Sequence, residues 1–229
     1  MKVIAINSSP KMDKGNTALI LNPFLEGMKN AGAEVELFYT KKLNINPCQG
    51  EYSCSLKTPG ICFQKDDMQI LYPKLHKADI WVIATPLFVS NMTGPMKTVV
   101  DRILIPIAKP QLELQEGHCH HPLREVIENS KIVLVSNCGY WELDNFDLLI
   151  DQIKALCNHA ERKFAGALLR PHGVIVKSMI AGGADLNDIF EAGKEAGKQL
   201  INEGKMNPET LKIVSRELVH LESYITPRT

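Results

Sequence analysis

The feature that most constrains this chain is a series of short, continuously apolar runs, each separated from the next by a stretch of helical periodicity. Val3-Ile4-Ala5-Ile6-Asn7 is the first, and Asp79-Ile80-Trp81-Val82-Ile83-Ala84, Lys131 to Ser136 and Phe164 to Leu169 are further strands, while Glu34 to Tyr39, which carries Glu34 and Glu36, is expected as the second strand. Continuous rather than alternating hydrophobicity marks strands buried on both faces of a parallel sheet. Between the first two strands, Ile20, Leu21, Phe24, Leu25 and Met28 share one face of a helix that starts at Asn16, a good N-cap residue. Pro23 predicts a bend in that helix, because it removes a backbone donor, and Gly32 predicts its end. Further helices are expected over Asp67 to Lys77, over Gly94 to Leu104, and around Phe146, Leu149, Ile150, Ile153 and Leu156. Five strands alternating with helices give an α/β fold: a parallel sheet, right-handed crossovers and helices on both faces.

Beyond Arg170 two more helices are expected, Leu186 to Asn202 and Pro208 to Leu221. The first carries Ala192, Gly193, Ala196 and Gly197, a stripe of small residues that lets another helix approach closely, from the same subunit or a partner. No repeat or low-complexity linker divides the chain. It therefore reads as one domain, 1–229, with a core over 1–170 and a helical extension over 171–229. The stretch from Pro106 to Ser130 is a long surface excursion.

Composition excludes several classes. The 229 residues are 45% hydrophobic, with 26 Lys+Arg set against 26 Asp+Glu, so neither a disordered chain nor a basic field for nucleic acid is indicated. No apolar run approaches the roughly 20 residues of a membrane span. The amino-terminal run is too short for a signal peptide, so cytoplasmic residence is expected. In that compartment the six cysteines are free, redox-active or metal-binding rather than disulfide-paired.

Ligands of open α/β sheets bind outside the carboxyl ends of the strands, where strand order reverses. Three loops follow the relevant strands. Ser8 to Thr17 offers hydroxyls, a turn proline, Gly15 and a helix N-terminus, a set suited to a phosphate or to a plain capped turn. Neither G-x-x-x-x-G-K-[ST] nor G-x-G-x-x-G occurs, which removes the nucleoside-triphosphate and dinucleotide fingerprints. Thr85 to Pro95 mixes apolar side chains with amides and hydroxyls, and Asn137-Cys138-Gly139-Tyr140-Trp141-Glu142 sets a glycine beside two aromatics. Together they suit a phosphate at one end and an isoalloxazine at the other.

Three stretches carry a more specific likeness: Asn7-Ser8-Ser9-Pro10-Lys11 through Gly15-Asn16-Thr17; Thr85-Pro86-Leu87-Phe88 through Asp101-Arg102; and Pro47-Cys48 through Cys62 to Asp66-Asp67-Met68. On these the sequence resembles the NADPH-dependent FMN reductase group of the flavodoxin-like superfamily, especially its iron–sulfur flavoprotein branch. The resemblance covers roughly residues 1 to 170. It implies a three-layer flavodoxin-like sandwich with strand order 2-1-3-4-5, and FMN as cofactor with NAD(P)H as co-substrate. It also implies a small-molecule electron acceptor and a homodimer or homotetramer. The phosphate would rest on Ser9, Lys11, Asn16 and Thr17. The ring would be held by Pro86, Leu87, Phe88 and Asn91, with Cys138, Gly139 and Tyr140 on its other side. Leu87-Phe88-Val89 replaces a more aromatic run found in relatives.

The iron–sulfur branch spaces its cysteines so that Cys48, Cys54 and Cys62 fall on three of four ligand positions, while position 51 is Glu. A carboxylate is a poorer match for cluster iron than thiolate, so a cluster-free loop is favoured over a [4Fe–4S] cluster or another metal or thiol chemistry. His118-Cys119-His120-His121 looks like a metal tract but lacks a second ligand cluster at a defined spacing, and a solvated stretch is the simpler expectation. Asp66 and Asp67 are expected to cap the helix that follows them, and Asp101 and Arg102 to form surface or interface pairs. Cys157 is expected on a buried helix face. No nucleophile, general base or paired carboxylate emerges, as expected where a cofactor carries the chemistry.

Overall fold

The computed structural model describes residues 1–115 and 117–226. Its elements run β1 (Lys2–Asn7), α1 (Asn16–Asn30), β2 (Glu34–Tyr39), α2 (Ser53–Leu56), α3 (Met68–Lys77), β3 (Ile80–Pro86) and α4 (Gly94–Ile107). There follow β4 (Glu113–Gln115), β5 (His118–His120), β6 (Lys131–Asn137), α5 (Asp147–His159) and β7 (Lys163–Arg170). The chain continues through α6 (Val176–Ala181), α7 (Asn187–Glu203), α8 (Pro208–Ser215) and α9 (Leu221–Ile225). The five expected strands form one sheet in the order β2-β1-β3-β6-β7, every neighbouring pair parallel. That is the expected 2-1-3-4-5 order. The excursion contributes β4 and β5 as a separate antiparallel pair.

Successive strand residues point to opposite faces, and both faces are buried. Ile4, Ile6, Trp81, Ile83, Ile132 and Leu134 lie in a core cluster with Leu71 and Leu75 of α3, Met96 and Val99 of α4, and Leu149 and Ile153 of α5. Their alternates Val3, Ala5, Val82, Ala84, Val133 and Val135 lie with Leu21, Phe24 and Met28 of α1 and Ile189, Ala196 and Leu200 of α7. This double burial explains why β1, β3 and β6 read as nearly unbroken apolar runs, whereas the edge strand β2, with Glu34 and Glu36, is only half-buried.

The small-residue stripe of α7 meets α1 of the same chain. A Cβ on Gly197 would lie 2.1 Å from the Phe24 carbonyl, and one on Gly27 would lie 1.8 Å from the Lys194 carbonyl. The two helix backbones can approach this closely only with hydrogen at both positions.

Several expectations change. Gly15 occupies the N-cap of α1, and Asn16 is its first helical residue. The helix expected over Pro208 to Leu221 stops at Ser215, and α9 is a separate short turn. Helix α6 was not foreseen. Asp101 pairs with Lys97 on the surface as expected, but Arg102 is buried. Its guanidinium donates to both carboxylate oxygens of Asp66, at 2.7 and 3.2 Å, and to the Asn46 carbonyl. Asp66 is thus mainly the partner of Arg102, while also accepting from Met68 N–H; Asp67 accepts from Asn44 N–H instead of capping α3. Among the described residues no helix is long and apolar enough to cross a membrane.

Candidate functional site

Sheet register brings Asn7 level with Ala84, Pro86 level with Asn137, and Asn137 level with Arg170. The strands therefore end together, and three loops rise side by side. A buried polar lattice lies beneath them. Thr17 donates its hydroxyl to Asn137 Oδ1 at 2.6 Å, tying the start of α1 to the end of β6. Thr93 donates to the Ser8 hydroxyl at 2.7 Å, Thr93 N–H to the Thr85 hydroxyl, and Ser136 to the Thr85 carbonyl at 2.7 Å. Leu87 N–H reaches the Asn137 carbonyl at 2.9 Å.

The first loop turns sharply. Asn7 Oδ1 accepts from Ser9 N–H at 2.8 Å, and Met12 N–H donates to the Ser9 carbonyl. Gly15 packs so tightly that a Cβ would lie 2.4 Å from Ser9 Oγ. The first N–H groups of α1 have no intrahelical acceptor and open on this loop. Asn7 Nδ2 is buried without a partner beside it. Ser9 and Thr17 are buried, Asn16 half-buried and Lys11 exposed. Because Thr17 Oγ1 already donates to Asn137, that residue offers a loop ligand its N–H rather than its hydroxyl.

The second loop makes a two-residue turn. Phe88 and Asn91 exchange N–H to carbonyl bonds of 2.8 and 3.1 Å across Val89 and Ser90, whose φ values are 48° and 60°. Positive φ at both central positions is the signature of a type I′ turn, here without its usual glycine. It lifts Phe88 and Val89 into solvent, while Pro86 and Leu87 are half-buried and Asn91 is exposed.

In the third loop, three consecutive carbonyls are occupied. Cys138 O accepts from Gly173 N–H and Tyr140 O from His172 N–H, both at 2.8 Å. Gly139 O accepts from the Tyr224 hydroxyl. A trans peptide points its C=O and the following N–H in opposite directions, and among the described residues there is no cis bond. The N–H groups of Gly139 and Trp141 therefore point away from β7 and the C-terminal segment. The Tyr140 N–H lies against the Cys138 sulfur, while among the described residues those of Gly139 and Trp141 have no acceptor. Such a pair of donors is a ready anion-binding concavity. The Tyr140 ring is exposed beside it. Cys138 is buried, and burial pushes its thiol pKa up.

Arg170 and His172 lie behind this loop. Arg170 is buried, and its guanidinium donates to the carbonyls of Val214 at 2.7 Å, Ser215 at 3.2 Å, and Arg216. His172 stands between the rings of Trp141 and Tyr224, each centroid 5.5 Å away.

The remaining candidates do not join the site. Cys48 is exposed, Cys62 half-buried and Cys54 buried; burial, then the charges of Cys62, Cys48 and Glu51, push the Cys54 thiol pKa up. Arg102 Nη2 lies 3.4 Å from the Cys62 sulfur. In the excursion, His118, Cys119 and His120 form β5, and His120 Nε2 pairs with Glu161 at 3.0 Å. Among the described residues no three His, Cys, Asp or Glu side chains are gathered closely enough to hold an ion. A groove of about 730 Å³, lined by Lys2, Glu34, Lys77 and Asp79, lies at the amino ends of the strands, opposite the loops.

With this geometry in place, comparison decides the family. The family model for NADPH-dependent FMN reductase matches residues 1–117, just over half of the chain. The chain belongs to the NADPH-dependent FMN reductase family. An iron–sulfur flavoprotein of Archaeoglobus fulgidus is 39% identical over 102 residues, covering 44% of this chain and 48% of that protein. The chain spans about half the length of the curated relatives it matches. The fold is shared with an NAD(P)H:quinone oxidoreductase from Methanothermobacter marburgensis: TM-score 0.59, 18% identity, over 87% of this chain and 96% of that one. An FMN-dependent NADH-azoreductase from Bacillus anthracis, solved in complex with FMN, gives TM-score 0.59 at 17% identity over 88% and 99% of the two chains. The FMN reductase match ends before the third loop, so Gly139 to Trp141 and Tyr224 rest on geometry alone.

Sequence reasoning missed Asn7, Thr85, Thr93 and Asn137. Their signal was present: each is a polar residue at the mouth of an apolar strand or the start of the helix that follows. It missed Tyr224 and His172 because nothing local links them to a loop more than 30 residues away.

Proposed function

We propose that this chain binds FMN across the carboxyl ends of β1, β3 and β6 and uses it for NAD(P)H-linked reduction of a flavin, a quinone or another small acceptor. The observation that carries the reading is the pairing of two unsatisfied donor sets at the ends of one sheet. One is the first loop with the opening turn of α1; the other is the pair of N–H groups of Gly139 and Trp141. Their chemistry suits a ligand that is anionic at one end and able to take up negative charge at the other. The orphaned Asn7 amide and the tight Ser9–Gly15 contact add a donor and a close backbone approach at the phosphate end. FMN, when bound, accepts hydride from nicotinamide and passes electrons onward.

The chain supplies everything else. Ser9, Lys11, Asn16 and the Thr17 N–H would hold the phosphate, helped by the positive end of α1. Phe88 and Tyr140, 50% and 64% exposed, offer aromatic surface above the loops. Pro86, Leu87 and Asn91 line the ring edge between them. The N–H groups of Gly139 and Trp141 would favour negative charge on the ring, since preorganised donors cost no reorganisation when that charge develops. Cys138 serves packing, its buried thiol donating to the Tyr140 carbonyl at 3.5 Å.

The donor set does not suit the cluster named in the iron–sulfur flavoprotein relatives. Position 51 is Glu, its carboxylate accepts the Ser53 hydroxyl at 2.6 Å, and a buried guanidinium lies against Cys62. No electron step is therefore routed through the cysteine segment, which ranks the alternative, an iron–sulfur flavoprotein-type carrier that takes electrons from ferredoxin, below the reductase. A flavin-free binding module ranks lower still, because it leaves the donor pair without a role. Six unpaired cysteines agree with a cytoplasmic protein, and self-association to a dimer or tetramer is expected on sedimentation at micromolar concentration.

The test separates phosphate from ring. Flavin-free protein should bind FMN more tightly than riboflavin, and the bound form should oxidise NADPH or NADH. Replacing Lys11 and Asn16 together by Ala should weaken FMN binding about tenfold, the scale of lost charge-assisted contacts, and leave riboflavin unaffected. Thr17 is left intact because its loss would also break the tie to Asn137. Native FMN affinity in the double variant would refute the loop assignment.

A further inference from the structure

Arginine carries five N–H donors in a rigid plane, and on Arg102 all but one are spent. Nη1 donates to Asp66 Oδ2 and to the Asn46 carbonyl, both at 2.7 Å. Nη2 donates to Asp66 Oδ1 at 3.2 Å and to the Cys62 sulfur at 3.4 Å. The last donor, on Nε, is buried and has no acceptor among the described residues.

The plane of the group fixes where that orphan lies. Asp66 takes the end of the fork, one oxygen on each terminal nitrogen. The other N–H of Nη2 runs parallel to the Nε–H along the side edge. The Cys62 sulfur and the orphan donor therefore share one edge of the guanidinium. The Tyr72 hydroxyl, which donates to the Arg102 carbonyl at 3.1 Å, also lies against this sulfur. Cys62 is half-buried and open in part to solvent, whereas Arg102 is shut away. The edge holds two parallel donors and only one acceptor. An oxygen carried on the sulfur supplies the second, because adjacent acceptors match a guanidinium fork as carboxylate oxygens do.

We propose that Cys62 is a site of reversible oxidation by hydroperoxides, with the Arg102 Nε–H placed to receive the oxygen that the sulfur gains. The sulfur attacks the outer peroxide oxygen, so that a sulfur–oxygen bond forms as the oxygen–oxygen bond breaks. Sulfur gives up two electrons and the peroxide takes them. The thiol proton leaves with the departing oxygen, as water or an alcohol. Two molecules of a small thiol restore the cysteine, releasing water and a disulfide. The step needs no flavin, and it stands on the cluster-free reading of the cysteine segment.

The test uses the protein as purified, without NAD(P)H, so that no electrons enter through a flavin. Limiting hydrogen peroxide is added with dimedone, which traps sulfenic acids, and each cysteine peptide is quantified by mass spectrometry. Cys62 should be trapped about tenfold more than Cys48 or Cys119, which are more exposed but form no hydrogen bond to a guanidinium among the described residues. Arg102→Lys keeps a positive charge near Asp66 and removes the side edge, so trapping at Cys62 should fall about tenfold. Where that variant fails to fold, the comparison among cysteines of the unmodified protein decides alone. Trapping at Cys48 or Cys119 that equals or exceeds that at Cys62 overturns the inference, since exposure alone then governs. Undiminished trapping in folded Arg102→Lys overturns it too, as does iron bound to Cys62 in the unmodified protein. Selective trapping at Cys62 in a protein that binds no FMN supports this inference and overturns the FMN reading alone.

Discussion

His172 is buried, in the left-handed region at φ 52°, with Nε2 unpartnered and Nδ1 3.4 Å from Arg170 Nη2. Burial first, and the Arg170 charge second, hold its pKa below the ordinary imidazole value. Burial also lowers Arg170, to about 10, which leaves it charged at neutral pH. The imidazole is therefore neutral in the folded protein and accepts from the guanidinium. An unfolded His titrates near ~6.5. Between that value and the lower folded one, the unfolded chain binds the proton that the folded chain refuses. The contribution of neutral His172 is fully present above about pH 6.5 and is lost progressively below it. Urea unfolding at pH 8 and pH 5 should show a smaller acid loss in His172→Gln than in the unmodified protein; equal losses would remove His172 as the cause. Buried charges of this kind were not legible in the sequence. Arg102 follows Asp101 on a periodic helix and reads as surface, because its partner Asp66 lies 36 residues away. Burial works against the Asp66 carboxylate, yet hydrogen bonds from Arg102 and from Asn46 and Met68 N–H outweigh it and hold the carboxyl below its usual range.

At the scale of elements, β1, β3 and β6 declared themselves because two-sided burial writes a nearly unbroken apolar run. Helix α6 did not, because six residues are too few to show a helical period. The β4–β5 pair did not, because short exposed strands carry no burial pattern. The cysteine segment is the element whose role depends most on a single residue. It hangs from the Arg102–Asp66 pair and the short helix α2, and its thiols differ in exposure and surroundings. A cubane requires four soft ligands at fixed corners. Glu51 is a hard ligand, and the guanidinium beside Cys62 competes for its sulfur. Protein purified anaerobically should therefore hold well under four irons per subunit, and Glu51→Cys should raise iron and acid-labile sulfide after reconstitution. About four irons in the unmodified protein, indifferent to replacement of Glu51, would reverse this assignment and move the ferredoxin-linked carrier ahead of the reductase.

At the scale of the molecule, the notional division at Arg170 cuts through the packing. One sheet face is covered by α1 and α7 together: Ile189, Ala196 and Leu200 share a cluster with Val82, Val133 and Leu168. The two helices interlock at Gly27 and Gly197, where a Cβ on either would meet the other backbone. The sequence showed the small stripe but could not say whose helix it receives. Its use within the chain means that any subunit interface must be built elsewhere. The carbonyls that Arg170 holds and the phenol on Gly139 also come from beyond residue 170. The C-terminal stretch is accordingly part of both the core and the candidate site. Deleting residues 171–229 should uncover an apolar face comparable to a protein–protein interface, beyond what a monomer's surface tolerates. The truncated chain should aggregate, or else bind a hydrophobic dye and lose its sharp urea transition, with no FMN affinity. A soluble fragment that unfolds cooperatively and still binds FMN would show that residues 1–170 suffice, and that the face under α7 is closed by some other means.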